Sequence, residues 1–279
     1  MYRTLSVVAF AASMFATTAS AAPVVVTFEA TGANPAAITP TRDAFRAAIG
    51  GGTAAGANGS FGGVRREINW DGVPDASSDP NALPANFFNT TSPRGAVFST
   101  PGTGFLVSAV AGLTTPTLFG FGNDFQTFSA QRLFTAVNSN ITDVHFFVPG
   151  TSIATTTSAF GVVFTDVEVA GLTKVEFFDE SNILIYTHDA LATGNQGLSF
   201  LGGTVSGGAI GRVRITSGLN TIVRNGVLGN QIDDVVVMDD FIYAEPNRVA
   251  EPGGLALVSL ALVSGLAVMR RRRAAPGGV

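Results

Sequence analysis

The sequence predicts an all-β protein, an antiparallel β-sandwich of the jelly-roll-like kind with one short helix. Two observations support this fold class. Short runs of β-branched and aromatic residues recur at intervals of about ten residues, between glycine- and proline-rich turns, and a helical period is almost absent. The chain also contains 22 phenylalanines, which suit the layer of side chains between two facing sheets.

The elements follow in order from the same patterns. Residues 24–29 are rich in valine and predict the first strand. A helix is predicted over residues 41–49, with Thr41 as its N-cap and Gly50 at its end. Alternation or β-rich composition then predicts strands at residues 66–70, 86–89, 96–99, 104–109, 133–137, 141–148, 159–169, 173–179, 183–187, 198–201, 210–215 and 232–243.

Composition narrows the function classes. The chain has 20 acidic and 16 basic residues and no cysteine. Without cysteine there are no disulfides and no cysteine-ligated zinc sites, so the fold must be stabilised by its core alone. No basic stripe with interleaved aromatic residues is present, so nucleic acid is not expected as a partner.

The N-terminus has the three parts of a secretory signal peptide at residues 1–21. Arg3 gives the positive start, residues 5–16 form an apolar stretch that is too short to span a membrane, and small residues end at Ala21. We therefore expect cleavage by signal peptidase before Ala22. The ectodomain is predicted over residues 22–248.

The C-terminus has the pattern of a membrane anchor. Residues 253–269 carry no charge, and at about 1.5 Å per residue such a run just crosses a thin hydrocarbon core. The arginines that follow favour the cytoplasmic side, so residues 274–279 are predicted to be a cytoplasmic tail. The ectodomain is then expected outside the inner membrane, as part of a single-pass intermediate.

These tail residues resemble a known sorting signal. A Glu-Pro pair, an apolar run and a basic cluster in that order are similar to the PEP-CTERM signal of exported Gram-negative proteins. The resemblance, which spans residues 249–273, implies an exosortase as the partner that removes the tail and a destination at the cell surface or in the extracellular matrix. The sorting residues are Glu251, Pro252, Arg270, Arg271, Arg272 and Arg273.

A first candidate binding site is the unusual stretch at residues 65–72. It places two arginines, two carboxylates and the sole tryptophan within eight residues. Polar groups beside an aromatic plate are typical of sugar binding, so Glu67, Trp70 and Asp71 are candidate ligand-binding residues. The alternative is a short strand that leads into an Asp-Gly turn, with Trp70 packed in the core.

A second candidate is a structural calcium site. Asp239 and Asp240 are adjacent carboxylates on a strand that is otherwise apolar, and carboxylate oxygens are preferred calcium ligands. Adjacent strand residues face opposite sides, so one of the two is expected to reach a given ion. The chain resembles carbohydrate-binding modules at fold level, and that resemblance implies Glu29 as a further ligand. The alternative is that these residues are exposed charges that discourage edge pairing.

The predicted role is structural or adhesive, in an extracellular polysaccharide matrix or biofilm. A calcium-supported carbohydrate-binding module is the alternative, with extracellular polysaccharide as a partner. An enzyme is not predicted, because there is no G-x-S-x-G motif and only His145 and His188 could serve as a histidine base. A glycoside-active enzyme ranks third, below the structural role and the binding module.

Overall fold

The computed structural model describes residues 22–51, 63–223, 227–228 and 234–247. These residues form mainly β-strands, arranged in two sheets that face each other across a hydrophobic core. The predicted all-β sandwich is confirmed.

The predicted signal peptide at residues 1–21 and sorting tail at residues 249–273 lie outside the described part of the chain. Within the described ranges, no helix has both the length and the apolar character needed to span a bilayer.

The strands in chain order are β1 (Val24–Gly32), β2 (Arg65–Ile68), β3 (Ala96–Ser99), β4 (Gly104–Val107), β5 (Phe134–Val137), β6 (Ile141–Phe146), β7 (Ala159–Thr165), β8 (Lys174–Phe178), β9 (Leu184–Asp189), β10 (Leu198–Ser206), β11 (Arg212–Thr216), β12 (Ile222–Val223), β13 (Val227–Leu228) and β14 (Val237–Ala244). The α-helices are α1 (Pro35–Ala48) and α2 (Phe87–Thr90). Single 3-10 turns lie at Asp75–Ser77 and Leu118–Gly120.

As far as the described residues extend, the larger sheet has nine strands in the order β1-β10-β7-β14-β5-β12-β13, with β2 beside β14 and β4 beside β5. The smaller sheet has five strands, in the order β3-β6-β11-β8-β9. Their pairings are antiparallel except between β12 and β5. Since β2 and β14 are about 170 residues apart in the chain but adjacent in the sheet, long-range pairing positions the site described below.

Apolar side chains cover both faces of the larger sheet. Between the sheets, Trp70 stacks on Phe134 with ring centroids 4.0 Å apart, and Phe241 meets Trp70 edge-on. On the opposite face, Phe45 of α1 packs against Phe200 of β10. The helix therefore forms a partial third layer over the outer face of the larger sheet.

The predicted helix exists, but its predicted start at Thr41 is wrong. Helix α1 begins at Pro35, because the Asn34 side chain accepts a hydrogen bond from the Ala37 N–H at 3.3 Å and proline suits the first helical position. Pro40 lies inside the helix, although proline is unfavourable at interior positions. This proline makes the first turn look non-helical in the sequence.

The strand predicted at residues 86–89 is also wrong, because this segment forms the single helical turn α2. Phe87 and Phe88 are both buried there. Consecutive strand residues would point to opposite faces, whereas one helical turn can turn both rings toward the same core. The chain thus contains a second, shorter helix within its described residues.

Strand β14 contains a β-bulge where it pairs with β7. The register shifts between Met238 and Phe241, so that Asp239 and Asp240 together oppose the single residue Val163. A bulge bends the strand and re-aims its side chains. The prediction that the two aspartates face opposite sides is therefore wrong, since it assumed a regular strand.

Candidate functional site

A polar cavity of about 530 Å³ lies between helix α1, strand β2 and the bulge of β14, and we call it the α1–β14 cavity. Helix α1 contributes two arginines one turn apart, β2 contributes a glutamate, and two loops close the sides. The lining residues are Pro35, Thr39, Arg42, Arg46, Glu67, Asn69, Arg94, Phe128, Ser129 and Asp240.

Glu67 is held by two guanidinium groups. Arg46 donates to both carboxylate oxygens of Glu67, from Nε at 2.8 Å and from Nη2 at 2.5 Å. Arg65 donates from Nε to Oε1 at 2.6 Å. Burial alone would raise the pKa of Glu67, but hydrogen bonds and charges from these arginines hold it below its usual value. The side chain is therefore a firmly ionised wall of the cavity.

Asp239 fixes the loop that carries the aromatic ring of the site. The side chain is fully buried, and Oδ2 accepts hydrogen bonds from the N–H groups of Phe128 at 2.6 Å and Ser129 at 3.2 Å. The Ser129 hydroxyl donates to Oδ1 at 3.0 Å. Burial and the charge of Asp240 nevertheless raise the pKa of Asp239 well above its usual value.

Asp240 presents a buried carboxyl group to the same cavity. It is 6% exposed, and burial raises its pKa. Its Oδ1 atom has no hydrogen-bond partner within the part of the chain that the structure describes. A buried acceptor without a partner is costly, so a ligand group that bonded to Oδ1 would be stabilised there.

Arg94 closes the cavity from the loop after α2. Its Nε donates to the Glu67 carbonyl at 3.1 Å, and its guanidinium lies 5.5 Å from the centre of the Phe88 ring. Burial lowers the pKa of Arg94. No carboxylate of the described residues forms a salt bridge with it, in contrast to Arg42 and Arg46.

Phe128 provides the apolar surface of the cavity. Its ring is half-buried and lies under the guanidinium of Arg42, 4.9 Å from the carbon to the ring centre. Arg42 also donates to Asp43 at 2.7 Å. The cavity thus combines one aromatic ring with guanidinium, carboxyl, hydroxyl and amide groups.

The three residues predicted to bind a ligand do not line one common site. Glu67 lines the cavity, as expected. Trp70 is 1% exposed and packs in the core, so the prediction of an accessible aromatic plate is wrong and the core alternative holds. Its indole N–H donates to the Asp239 carbonyl at 2.8 Å, which fixes the bulge from the inner side. Asp71 accepts from the Arg132 N–H at 3.2 Å.

The three residues predicted to bind calcium are not brought together. Glu29 lies on the edge strand β1 and contacts His188 of the smaller sheet at 2.8 Å. Strands β10 and β7 separate β1 from β14, a distance of about 14 Å at ordinary strand spacing. Glu29 also faces the smaller sheet, whereas Asp240 faces α1. In the described residues, no group of three metal-binding side chains is present.

The tryptophan-containing stretch and the aspartate pair, which the sequence predicted as two separate sites, are neighbours in the structure. Because β2 pairs with β14, the stretch that contains Glu67 and Trp70 lies beside Asp239 and Asp240. Sequence reasoning missed the remaining lining side chains. Of these, only the two α1 arginines had a local signal, since a spacing of four residues places them on one helical face. The missed lining residues are Pro35, Thr39, Arg42, Arg46, Asn69, Arg94, Phe128 and Ser129.

Comparison with known proteins adds little. No family model matches this chain, and no curated protein matches it. One solved structure to which it is similar is a GH26-CBM35 β-(1,4)-mannanase of Podospora anserina, with 14% sequence identity over 57% of this chain and 29% of that chain. The TM-score is 0.24, so this similarity carries no argument about function.

Proposed function

We propose that this chain is an exported surface or matrix protein whose jelly-roll-like β-sandwich binds extracellular polysaccharide in the α1–β14 cavity. The observation that carries the binding part is the lining of that cavity, a single aromatic ring among closely spaced polar groups. Sugars offer an apolar ring face and a rim of hydroxyl groups, which such a lining complements. The volume of about 530 Å³ lies within the range of small-molecule sites.

Binding rather than catalysis fits the state of the carboxylates. A glycosidase needs one carboxylate that is free to act as nucleophile or base. Of the two carboxyl groups in the lining, Asp240 has a raised pKa, which disfavours the ionised form that a nucleophile or base needs. Both oxygens of Glu67 are engaged by Arg46, and Arg65 donates to one of them as well. We therefore propose a polysaccharide-binding role without hydrolysis.

The export half of the proposal rests on the sequence. The secretory signal at residues 1–21 and the PEP-CTERM-like tail at residues 249–273 support passage through the inner membrane, with signal peptidase and exosortase as partners. An ectodomain without cysteine suits this route because it needs no disulfide formation after export. Mass spectrometry of the mature protein tests it: termini at Ala22 and near Glu251 support the proposal, and intact signals contradict it.

A pair of matched variants tests the binding site. Phe128 lies under Arg42 in the cavity, while Phe178 lies under Arg212 on the smaller sheet, 3.7 Å from its guanidinium carbon. On a polysaccharide array, Phe128→Ala should weaken binding by about tenfold or more, and Phe178→Ala should leave it unchanged. Equal loss in both variants, or no binding by the wild type, would contradict the proposal.

A parallel arm with EDTA tests the calcium-supported alternative. Binding that disappears with the chelator and returns with calcium would assign a metal to the site. Binding that persists would support recognition by the cavity side chains alone.

A further inference from the structure

We propose that the saccharide bound in the α1–β14 cavity is acidic, with carboxylate-bearing sugar units of the hexuronate type, and that Arg94 binds the carboxylate. This inference rests on the proposed function and narrows it to one ligand class. It is carried by the charges of the cavity and by two lining groups, Arg94 and Asp240, that each have one atom without a hydrogen-bond partner among the described residues.

The cavity has an excess of positive charge in a chain that is acidic as a whole. Three guanidinium groups line it, those of Arg42, Arg46 and Arg94, against two carboxyl groups, Glu67 and Asp240, and burial raises the pKa of Asp240. Asp43 offsets part of this charge from outside the lining. The chain carries a formal net charge of −4, so a concave cationic site stands out and would attract an anion.

Arg94 has a hydrogen-bond donor that a ligand can use. Its Nε and Nη1 atoms donate to the backbone carbonyls of Glu67 and Ser92, and Nη1 also contacts the Ser92 hydroxyl. Within the described ranges its Nη2 atom makes no hydrogen bond, and no carboxylate lies within salt-bridge distance. A half-buried guanidinium without a counter-charge is unfavourable. A ligand carboxylate would supply both the charge and the acceptor, in a geometry that guanidinium favours.

Asp240 gives a second point of recognition. In its protonated form the carboxyl group can donate one hydrogen bond and accept another, and Oδ1 is unpaired among the described residues. The groups that face it are Asp239, Ser129, Arg42 and Glu67. The raised pKa of Asp240 lessens the negative charge that would repel an anionic ligand, and its unpaired oxygen suits a sugar hydroxyl.

Other ligands fit the same residues less well. A neutral saccharide would bond to Asp240 but would leave Arg94 without a counter-charge. Inorganic phosphate would pair with Arg94 but would fill only a small part of a cavity of about 530 Å³. An acidic saccharide satisfies the charge, the unpaired oxygen, the aromatic ring and the volume together.

Calorimetry on the full-length chain in a mild detergent tests this inference. The probes are an oligogalacturonate, a neutral oligosaccharide of the same length, and inorganic phosphate. We expect the oligogalacturonate to bind at least tenfold more tightly than either of the others. Arg94→Gln should reduce its affinity by about 10–100-fold and should reduce the affinity for the neutral probe by a much smaller factor.

Two controls keep the test interpretable. Arg214→Gln removes a guanidinium from the smaller sheet, outside the cavity, and should change neither affinity. Arg94→Lys retains the charge without the planar fork and should recover part of the loss. Circular dichroism of each variant confirms that the sandwich is intact.

The outcomes separate the inference from the function on which it rests. Equal binding of neutral and acidic probes, or phosphate binding as tight as that of the oligogalacturonate, would overturn the acidic ligand and leave polysaccharide binding standing. Acidic binding that survives Arg94→Gln would overturn the role of Arg94. Binding of neither saccharide would overturn the proposed function as well.

Discussion

Among the described residues, two strand carboxylates, one on each sheet, are each held by two guanidinium groups. Glu67 of the larger sheet accepts from Arg46 and Arg65. Asp143 of the smaller sheet accepts from Arg212 and Arg214, at 2.7 Å and 2.8 Å. In both cases the arginines lower the carboxylate pKa despite its burial.

The surroundings of the two clusters differ. Arg212 is also bonded to Asn182 and lies over Phe178, so the cluster on the smaller sheet is satisfied by its own neighbours. Beside Glu67 lie Arg94, which forms no salt bridge within the described part of the chain, and Asp240, whose Oδ1 has no hydrogen-bond partner there. A carboxylate that is held by two arginines therefore does not by itself indicate a ligand. The unsatisfied groups of Arg94 and Asp240 near Glu67 do.

The largest expected effect tests how the cavity is supported. Trp70 stacks on Phe134 and donates to the bulge carbonyl of Asp239. Trp70→Ala should lower the free energy of unfolding by about 3–5 kcal/mol, measured by urea denaturation. Trp70→Phe keeps the stacking and removes the hydrogen bond, so it should cost about 1–2 kcal/mol. No loss in Trp70→Phe would show that the hydrogen bond to the bulge contributes nothing, and equal losses in the two variants would show that the ring stacking contributes nothing.

The two doubly held carboxylates should differ in function more than in stability. Glu67→Ala leaves the half-buried Arg46 and the buried Arg65 without this carboxylate, and should cost about 2–3 kcal/mol. Asp143→Ala leaves Arg214, which is more exposed, and should cost about 1–2 kcal/mol. Saccharide binding should change only in Glu67→Ala, because Glu67 lines the cavity and Asp143 does not. Loss of binding in both variants would place the ligand elsewhere or indicate a global effect.

Asp239 and Asp240 should contribute a pH dependence of stability with the opposite sign to that of Asp143, whereas Glu67 should behave like Asp143. The raised pKa values of Asp239 and Asp240 mean that the folded state retains protons that the unfolded chain loses. Their contribution is therefore present below the unfolded pKa of about 4 and is lost as pH rises through the raised values. The lowered pKa of Asp143 contributes stability above pH 4 that is lost as pH falls.

Calorimetric melting temperatures between pH 3 and pH 8 test these signs. Asp240→Asn should flatten the decline of melting temperature toward pH 8, and Asp143→Asn should flatten the decline toward pH 3. If Asp240→Asn leaves the curve unchanged on the alkaline side, Asp240 is not the buried acid described above.

The smallest effect on stability is expected for Arg214, the more exposed arginine of the pair that holds Asp143. The Arg214 side chain is 38% exposed in its pair with Asp143, and such pairs contribute less than about 1 kcal/mol. Arg214→Gln should therefore shift the urea midpoint only slightly. A large shift would mean that the two clusters differ less in burial than the structure indicates.

The sequence could predict the sandwich because strand alternation is a local pattern. Helix α1 could be predicted from local helix signals, although Pro40 obscured its first turn. The candidate site was harder to predict from the sequence. The bulge at Asp239 arises where β14 pairs with β7, and no local sequence pattern indicates it. The meeting of Glu67 with Asp240 depends on β2 joining β14 across the chain. Arg94, in a short turn, gave no signal at all.

The central claim is that the α1–β14 cavity binds a saccharide. A crystal structure of the protein with its tightest-binding oligosaccharide tests this most directly. We expect a sugar ring against Phe128, a sugar oxygen within hydrogen-bond distance of Asp240 Oδ1, and a carboxylate on Arg94. A saccharide bound at another surface, with the cavity unchanged, would contradict the claim.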